Sequence, residues 1–139
     1  MPQPQRKVYF ENSVGRLWEE PGRYLRLDYH PGRRHEADFR SMLTHTRLAL
    51  SRLGWSRLLI NQRQMSGFTA SEERWMVNEW LPTAVNENGY RYGAVLLAED
   101  VFARLAMSKV VLATRGLHHQ YHNFDKEDEA VEWLLAQKD

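Results

Sequence analysis

Three histidines lie close together in the last quarter of the chain, and imidazole is a common zinc ligand. On a helix, His118 and His122 would share one face. On a strand, they point the same way about 13 Å apart, while His119 points to the opposite face. The local sequence favours a strand, and zinc needs nitrogens at about 2.0–2.1 Å. We therefore predict no metal at these histidines within one chain, and no cofactor.

Two further residue pairs have spacings that occur in catalytic sites. Asp28 and His30 share a face if they lie on a strand, as an acid and a base would. We interpret them as ordinary polar residues at a sheet edge. Ser66 and Gly67 belong to no nucleophile-elbow pattern, and no histidine is linked to them by spacing. The sequence therefore predicts no catalytic residues and a function that is not enzymatic.

Three loops hold the chain's densest mixture of charge, hydroxyl groups and glycine: residues 30–35, residues 62–68 and residues 99–100. Each follows a predicted strand and leads into a predicted helix. In an open parallel sheet such loops meet beyond the carboxyl ends of the strands, where ligands bind. We predict that any small-molecule or peptide partner binds around Arg63, Ser66 and Asp100, with Asp100 occupied as a helix cap.

Arginines in these loops stand beside predicted helix N-termini: Arg33, Arg34 and Arg63. Free backbone amides and the helix dipole add to their positive charge, so the arginines could hold an anion. No glycine-rich phosphate loop accompanies them. The alternative is that all three are solvated loop charges.

Hydrophobic periodicity predicts the elements that carry these loops. Alternation with period two indicates strands in the first third, and a spacing of three or four indicates a helix after Arg34. The predicted strands lie near residues 8–11, 14–20, 24–29, 57–61, 93–98 and 118–124. The predicted helices lie near residues 35–53 and 70–86 and after Asp100 and Asp125, each of which would cap the helix that follows.

Local signals refine the predicted helices. Gly54 stands where a left-handed cap is common, and Thr69 and Glu72 have capping-box spacing. Pro82 predicts a kink in the second helix. The inner face of the helix after Asp100 is predicted to include Val101, Leu105 and Val110.

The predicted element order is β-β-β-α-β-α-β-α-β-α. Strands that alternate with helices imply parallel pairing through right-handed crossovers. The sequence thus predicts an α/β fold: a mixed sheet with N-terminal antiparallel strands and parallel β-α-β units, with helices packed on the sheet. No repeat, low-complexity stretch or linker interrupts the chain, so we predict a single domain over residues 1–139.

Several segments together resemble the bacterial STAS-like proteins, the group that includes the SpoIIAA-type anti-sigma-factor antagonists. More closely, the chain is similar to small proteins described as STAS/CRAL-TRIO-like. The segments that carry the resemblance are LLINQR (58–63), FTASEERW (68–75), EWLP (79–82), FD (124–125) and EAVEWL (129–134). These motifs are mostly structural, and therefore imply a fold more than a function.

The resemblance implies a STAS-like regulatory or protein-interaction domain without enzymatic activity. The alternative is a CRAL-TRIO-like binder of a small apolar ligand or lipid. An exposed, flat, apolar helix face would favour the first, and a closed apolar cavity with a lid would favour the second. A cluster of perturbed acids and histidines in one cleft would favour an enzyme instead.

In the phosphorylated STAS antagonists, the serine of an Asp-Ser-Ser-Gly turn accepts phosphate at a helix N-terminus. The resemblance aligns Ser71 with that turn, but the aspartate and the glycine are missing. Glu72 also puts negative charge where the phosphate would be added. We predict that Ser71 lies in the first turn of a helix and is not efficiently phosphorylated.

Composition narrows the class of partner. Lys and Arg number 19 and Asp and Glu number 18, which argues against a nucleic-acid surface. The absence of cysteine excludes disulfides and thiolate metal sites. No apolar run approaches the roughly 20 residues of a membrane span, and the first residues lack the apolar core of a signal peptide. We predict a cytoplasmic protein whose partner is another protein or a small apolar ligand; the sequence is also compatible with a homodimer.

Overall fold

A six-stranded mixed sheet runs through the computed structural model, which describes residues 5–138. The strands are β1 (Lys7–Asn12), β2 (Gly15–Glu20), β3 (Tyr24–Tyr29), β4 (Arg57–Asn61), β5 (Tyr92–Leu96) and β6 (Gln120–Phe124). The α-helices are α1 (Glu36–Leu53), α2 (Ala70–Trp75), α3 (Leu81–Asn88), α4 (Val101–Ala113) and α5 (Glu127–Ala136). A π-helical turn, Met76–Trp80, joins α2 to α3.

The strands lie in the sheet in the order in which they occur in the chain. β1, β2 and β3 pair antiparallel, and β3, β4, β5 and β6 pair parallel. The predicted fold class is therefore confirmed, with β6 as a further parallel strand. When neighbouring parallel strands follow one another in this way, crossovers of one hand place their helices on the same face of the sheet.

The hydrophobic core reflects this arrangement. Leu25, Leu27 and Tyr29 of β3 pack on the first face, in one cluster with buried residues of α1, α3 and α4. Tyr24, the residue before Leu25, lies on the second face, in a smaller cluster with Leu134 and other residues of α5. Because the side chains of β3 alternate in direction, the strand contacts a large layer of helices on one face of the sheet and the single helix α5 on the other.

The local signals in the sequence explain where α1 ends, where α2 begins and where the regular α-helical pattern is interrupted. Gly54 ends α1 with a left-handed backbone, at a φ of 69°. Thr69 and Glu72 form the predicted capping box at the start of α2. Pro82 has no N–H to donate within a helix, and the chain takes up the π-helical turn just before it. Leu81 there donates to the carbonyl of Met76, five residues back.

One capping prediction was wrong. Lys126, not Asp125, stands at the N-cap of α5, and no side chain caps that helix. Acidic residues in its first turn, Glu127, Asp128 and Glu129, interact favourably with the helix dipole instead.

Within residues 5–138, no helix is both long and apolar enough to cross a membrane.

Candidate interaction surface

Helix α4 packs on the sheet through small and flexible side chains. Ala103, Ala106, Met107 and Val110 are buried and recur three or four residues apart. This stripe is the inner face of the helix. Of the residues predicted for that face, only Val110 belongs to it.

The opposite side of α4 is also apolar, and it faces outward. Val101, Phe102, Leu105 and Leu112 are 58%, 73%, 56% and 64% exposed. We call these four residues, together with Ser108 between them, the α4 face. Val101 and Leu105 were predicted to be buried, and this was wrong because a helix with apolar residues on both sides offers two equally regular stripes. A helix that is apolar all round is normally buried on all sides.

A groove of about 430 Å³ runs beside the α4 face. Its walls include Phe68, Phe102, Leu105 and Leu112, and one charge of each sign, Glu73 and Lys109, lies at its margin. The far wall belongs to the loop that leads into α2, so the groove lies between two elements. An apolar groove with a charged rim is the arrangement that protein interfaces use.

The N-terminal end of α4 is held by the loop of residues 62–68. The Glu99 amide donates to the carbonyl of Arg63 at 3.0 Å. Asp100 caps the helix by accepting from the Ala103 amide at 3.3 Å, as predicted. Gly67 lies next to α4, since a Cβ built on it would be in van der Waals contact, at 3.6 Å, with the backbone of Phe102 and Ala103.

That loop is in turn fixed by the buried ion pair of Arg34 and Glu72, each with a side chain only 4% exposed. The Arg34 guanidinium donates to both carboxylate oxygens of Glu72, at 2.9 and 2.8 Å. It also donates to the carbonyls of Ser66 and Gly67, at 2.9 and 3.1 Å. Arg34 is therefore neither a solvated charge nor a free anion site, since its donors are bonded within the protein. It ties the β3–α1 loop to the loop that supports α4.

The three residues predicted to bind a partner lie around this end of α4. Arg63 donates to the carbonyl of Asp125 at 3.1 Å, Asp100 caps α4, and the Ser66 carbonyl accepts from Arg34. The loops therefore meet as expected. Binding at Arg63, Ser66 and Asp100 stays a prediction, and α4, which begins next to them, carries four of the seven large apolar side chains that are exposed among the described residues.

Ser71 lies in the first turn of α2, as predicted. Its hydroxyl donates to the Glu36 carboxylate at 3.1 Å, and Glu72 follows it directly. Phosphate added there would meet two carboxylates. That Ser71 is not efficiently phosphorylated stays a prediction.

Asp28 is held on the second face of the sheet by three donors: Trp18, Arg26 and Asn61, each at 2.9 Å. Burial acts to raise the pKa of Asp28, but the hydrogen bonds from Asn61, Arg26 and Trp18 and the charge of Arg26 hold that pKa below its usual value. His30 lies near a different acid, Glu11, at 3.6 Å. Asp28 and His30 therefore do not form an acid–base pair.

The three histidines near β6 lie apart, and only His122 is within the strand, which begins at Gln120 and not at residue 118 as predicted. His119 contacts Tyr90 and Tyr121 on the first face, whereas His122 stacks on Trp133 of α5 on the second face. His118 is exposed and precedes the strand. Across residues 5–138, no three His, Asp or Glu side chains are grouped so that they could hold a metal ion.

A buried polar cluster around Tyr90 escaped the sequence analysis. The Tyr90 hydroxyl and both ring nitrogens of His119 are buried, and neither histidine nitrogen has a hydrogen-bond partner among the described residues. Burial lowers the pKa of His119 to about 4 and raises the pKa of Tyr90 well above its usual value. Gly93 makes room for the cluster, because a Cβ there would lie 2.4 Å from the Tyr121 ring and 2.5 Å from the Tyr90 hydroxyl. No local pattern in the sequence brings these residues together.

An apolar cavity lies in the core near this cluster, walled by Tyr29, Tyr121, Gln62 and Met107 among others. Its water-accessible volume is about 20 Å³, which is room for about one water molecule. The groove beside α4 is thus the roomier of the two apolar sites.

The chain matches no family model, no curated protein and no solved structure.

Proposed function

We propose that the protein is a non-enzymatic protein-interaction domain, as its STAS-like sequence features imply, and that it binds an amphipathic α-helix on the α4 face. The observation that carries this proposal is the exposure of four large apolar side chains on one helix. Contiguous apolar surface on a folded domain marks an interaction site. Burying each such side chain contributes about 1.5–3 kcal/mol.

The spacing along α4 favours a helix as the occupant. Val101, Leu105, Ser108 and Leu112 follow one another at intervals of four, three and four residues. This is the heptad spacing by which one helix packs along another. The groove beside the α4 face, with Phe68 and Phe102 on its walls, can take the side chains at the edge of that partner helix.

The distribution of perturbed groups supports a function without catalysis. Asp28 and His119, the acid and the histidine whose pKa values burial affects most clearly, lie on opposite faces of the sheet. They share no cleft. The core cavity of about 20 Å³ is far smaller than the several hundred Å³ of a typical ligand pocket, so it gives no support to the alternative of a small apolar ligand.

Site-specific photo-crosslinking in the native host tests the proposal. A benzophenone amino acid replaces Phe102 in one chain and Leu135 in a matched control; Leu135 is 51% exposed and lies on α5. We expect a discrete adduct from position 102 only, and we expect Leu105→Glu in the same chain to remove it. Equal adducts from both positions, or an adduct that survives Leu105→Glu, would show that the α4 face is not the binding surface.

A further inference from the structure

We infer that the helix bound on the α4 face is α4 of a second copy of this chain, packed antiparallel about a two-fold axis. This inference rests on the proposed function, because it names the partner of the same surface. Such an interface is isologous, which means that one patch must be complementary to itself.

The residue sizes along the α4 face meet that condition. A two-fold axis passing between residues 106 and 107 places Val101 opposite Leu112 of the second copy. The same axis places Leu105 opposite Ser108, so that the largest central side chain meets the smallest. Large residues opposite small ones are what allows two helices to interdigitate without voids.

The charges at the two ends of α4 favour the antiparallel orientation. Glu99 and Asp100 precede the helix, and Arg115 follows it. All three are exposed, and none takes part in an ion pair within residues 5–138. An antiparallel pair brings Arg115 of each copy beside the acidic end of the other. A parallel pair would bring acid against acid and arginine against arginine, which is unfavourable.

The rim of the proposed interface is polar, as interfaces of this kind require. Lys109 and Glu73 flank the groove, and Arg104 lies on the other side of α4, where it donates to the carbonyl of Ala98. The apolar stripe therefore has polar residues along both edges.

Sedimentation equilibrium of the purified full chain tests whether the second copy binds. We expect a dimer whose dissociation constant rises about tenfold or more on Leu105→Glu, because the two introduced carboxylates would lie close to the two-fold axis. Leu112→Glu should act in the same way. The control Leu135→Glu, on α5, should leave the dimer unchanged.

Cysteine crosslinking tests the orientation, and the chain is suited to it because it contains no cysteine. Chains with Val101→Cys and chains with Leu112→Cys, of different mass, are mixed and oxidised. Antiparallel packing predicts crosslinks between the two kinds of chain and few within either kind. Crosslinks that join like chains instead would overturn the antiparallel arrangement.

The two experiments separate failure of this inference from failure of the proposed function. A wild-type chain that stays monomeric, or a dimer unaffected by Leu105→Glu, overturns the second copy as occupant. If position 102 then still crosslinks to a different protein in the host, the α4 face binds a helix from elsewhere and the proposed function stands. If position 102 crosslinks to nothing, both are wrong.

Discussion

Replacing Arg34 by leucine is the sharpest test of how the loop beneath α4 is held. The substitution removes the guanidinium that bonds to Glu72 and to the carbonyls of Ser66 and Gly67. It also removes the cation–π contacts with Phe39 and Phe68, whose rings lie 5.7 and 5.5 Å from the guanidinium carbon. Leucine keeps an apolar side chain at the position, so the variant removes the charge together with the interactions that depend on the guanidinium.

The expected cost follows from what Arg34→Leu leaves behind. The Glu72 carboxylate stays buried and retains a single amide donor, that of Thr69 at 2.8 Å. An uncompensated buried charge of this kind costs about 3–5 kcal/mol. A domain's whole stability is about 5–15 kcal/mol, so the midpoint of thermal unfolding should fall by roughly 10–20 °C.

A second substitution tests that explanation. Glu72→Gln removes the buried charge but keeps an oxygen that can accept from the Thr69 amide. We therefore expect the Arg34→Leu/Glu72→Gln chain to be more stable than the Arg34→Leu chain by about 1–3 kcal/mol. If Arg34 acted only through packing, adding Glu72→Gln would not restore any of the lost stability.

Urea unfolding followed by tryptophan fluorescence and by circular dichroism measures these free energies. The matched control is Arg40→Leu, because Arg40 pairs with Glu36 at 2.8 Å on the exposed surface of α1. Exposed pairs contribute little, so we expect this control to cost at most about 1 kcal/mol. The reasoning is refuted if Arg34→Leu costs no more than Arg40→Leu, or if the double variant recovers nothing.

Two further predictions concern the buried cluster. The folded-state pKa of His119, about 4, lies below its unfolded value of about 6.5, so the unfolded chain binds the proton more readily. The free energy of unfolding should therefore fall as the pH drops from 6.5 to 4, and less so after His119→Phe, as urea titrations at several pH values will show. Gly93→Ala should cost about 1–3 kcal/mol by forcing its methyl group against the Tyr121 ring and the Tyr90 hydroxyl, and thermal unfolding should show that Tyr121→Ala together with Tyr90→Phe relieves much of that cost.

Most of the fold could be predicted from the sequence because its signals are local. The alternation in β3, the capping box of Thr69 and Glu72, and Gly54 after α1 each act within a few residues, and each is found where it was expected. Pro82 illustrates the limit of such a signal. It was predicted to kink the helix, and the structure has a π-helical turn just before it, a form that depends on how the neighbouring residues pack.

The candidate site could not be predicted in the same way because it depends on contacts between distant segments. Arg34 and Glu72 are 38 residues apart in the chain, and nothing near Arg34 indicates that it is buried. The prediction that Val101 and Leu105 are buried failed for a different reason. Periodicity finds an inner face only where the outer face is polar, and Val101 and Leu105 repeat as regularly as the residues that are buried.

The helices at the two ends of the helical layer differ in their outward residues, and this difference favours α4 as the partner surface that we propose. Because the parallel strands follow one another in order, the helices of the first face form a row that begins with α1, over β1 and β2, and ends with α4. Among the helices of residues 5–138, neither end helix has a further helix beyond it in the row, yet their outward residues differ. Those of α1 are mostly polar and include Glu36, Arg40 and Arg52, whereas those of α4 are mostly apolar. The difference between α1 and α4 lies in their residues, and the proposed binding at α4 would account for it.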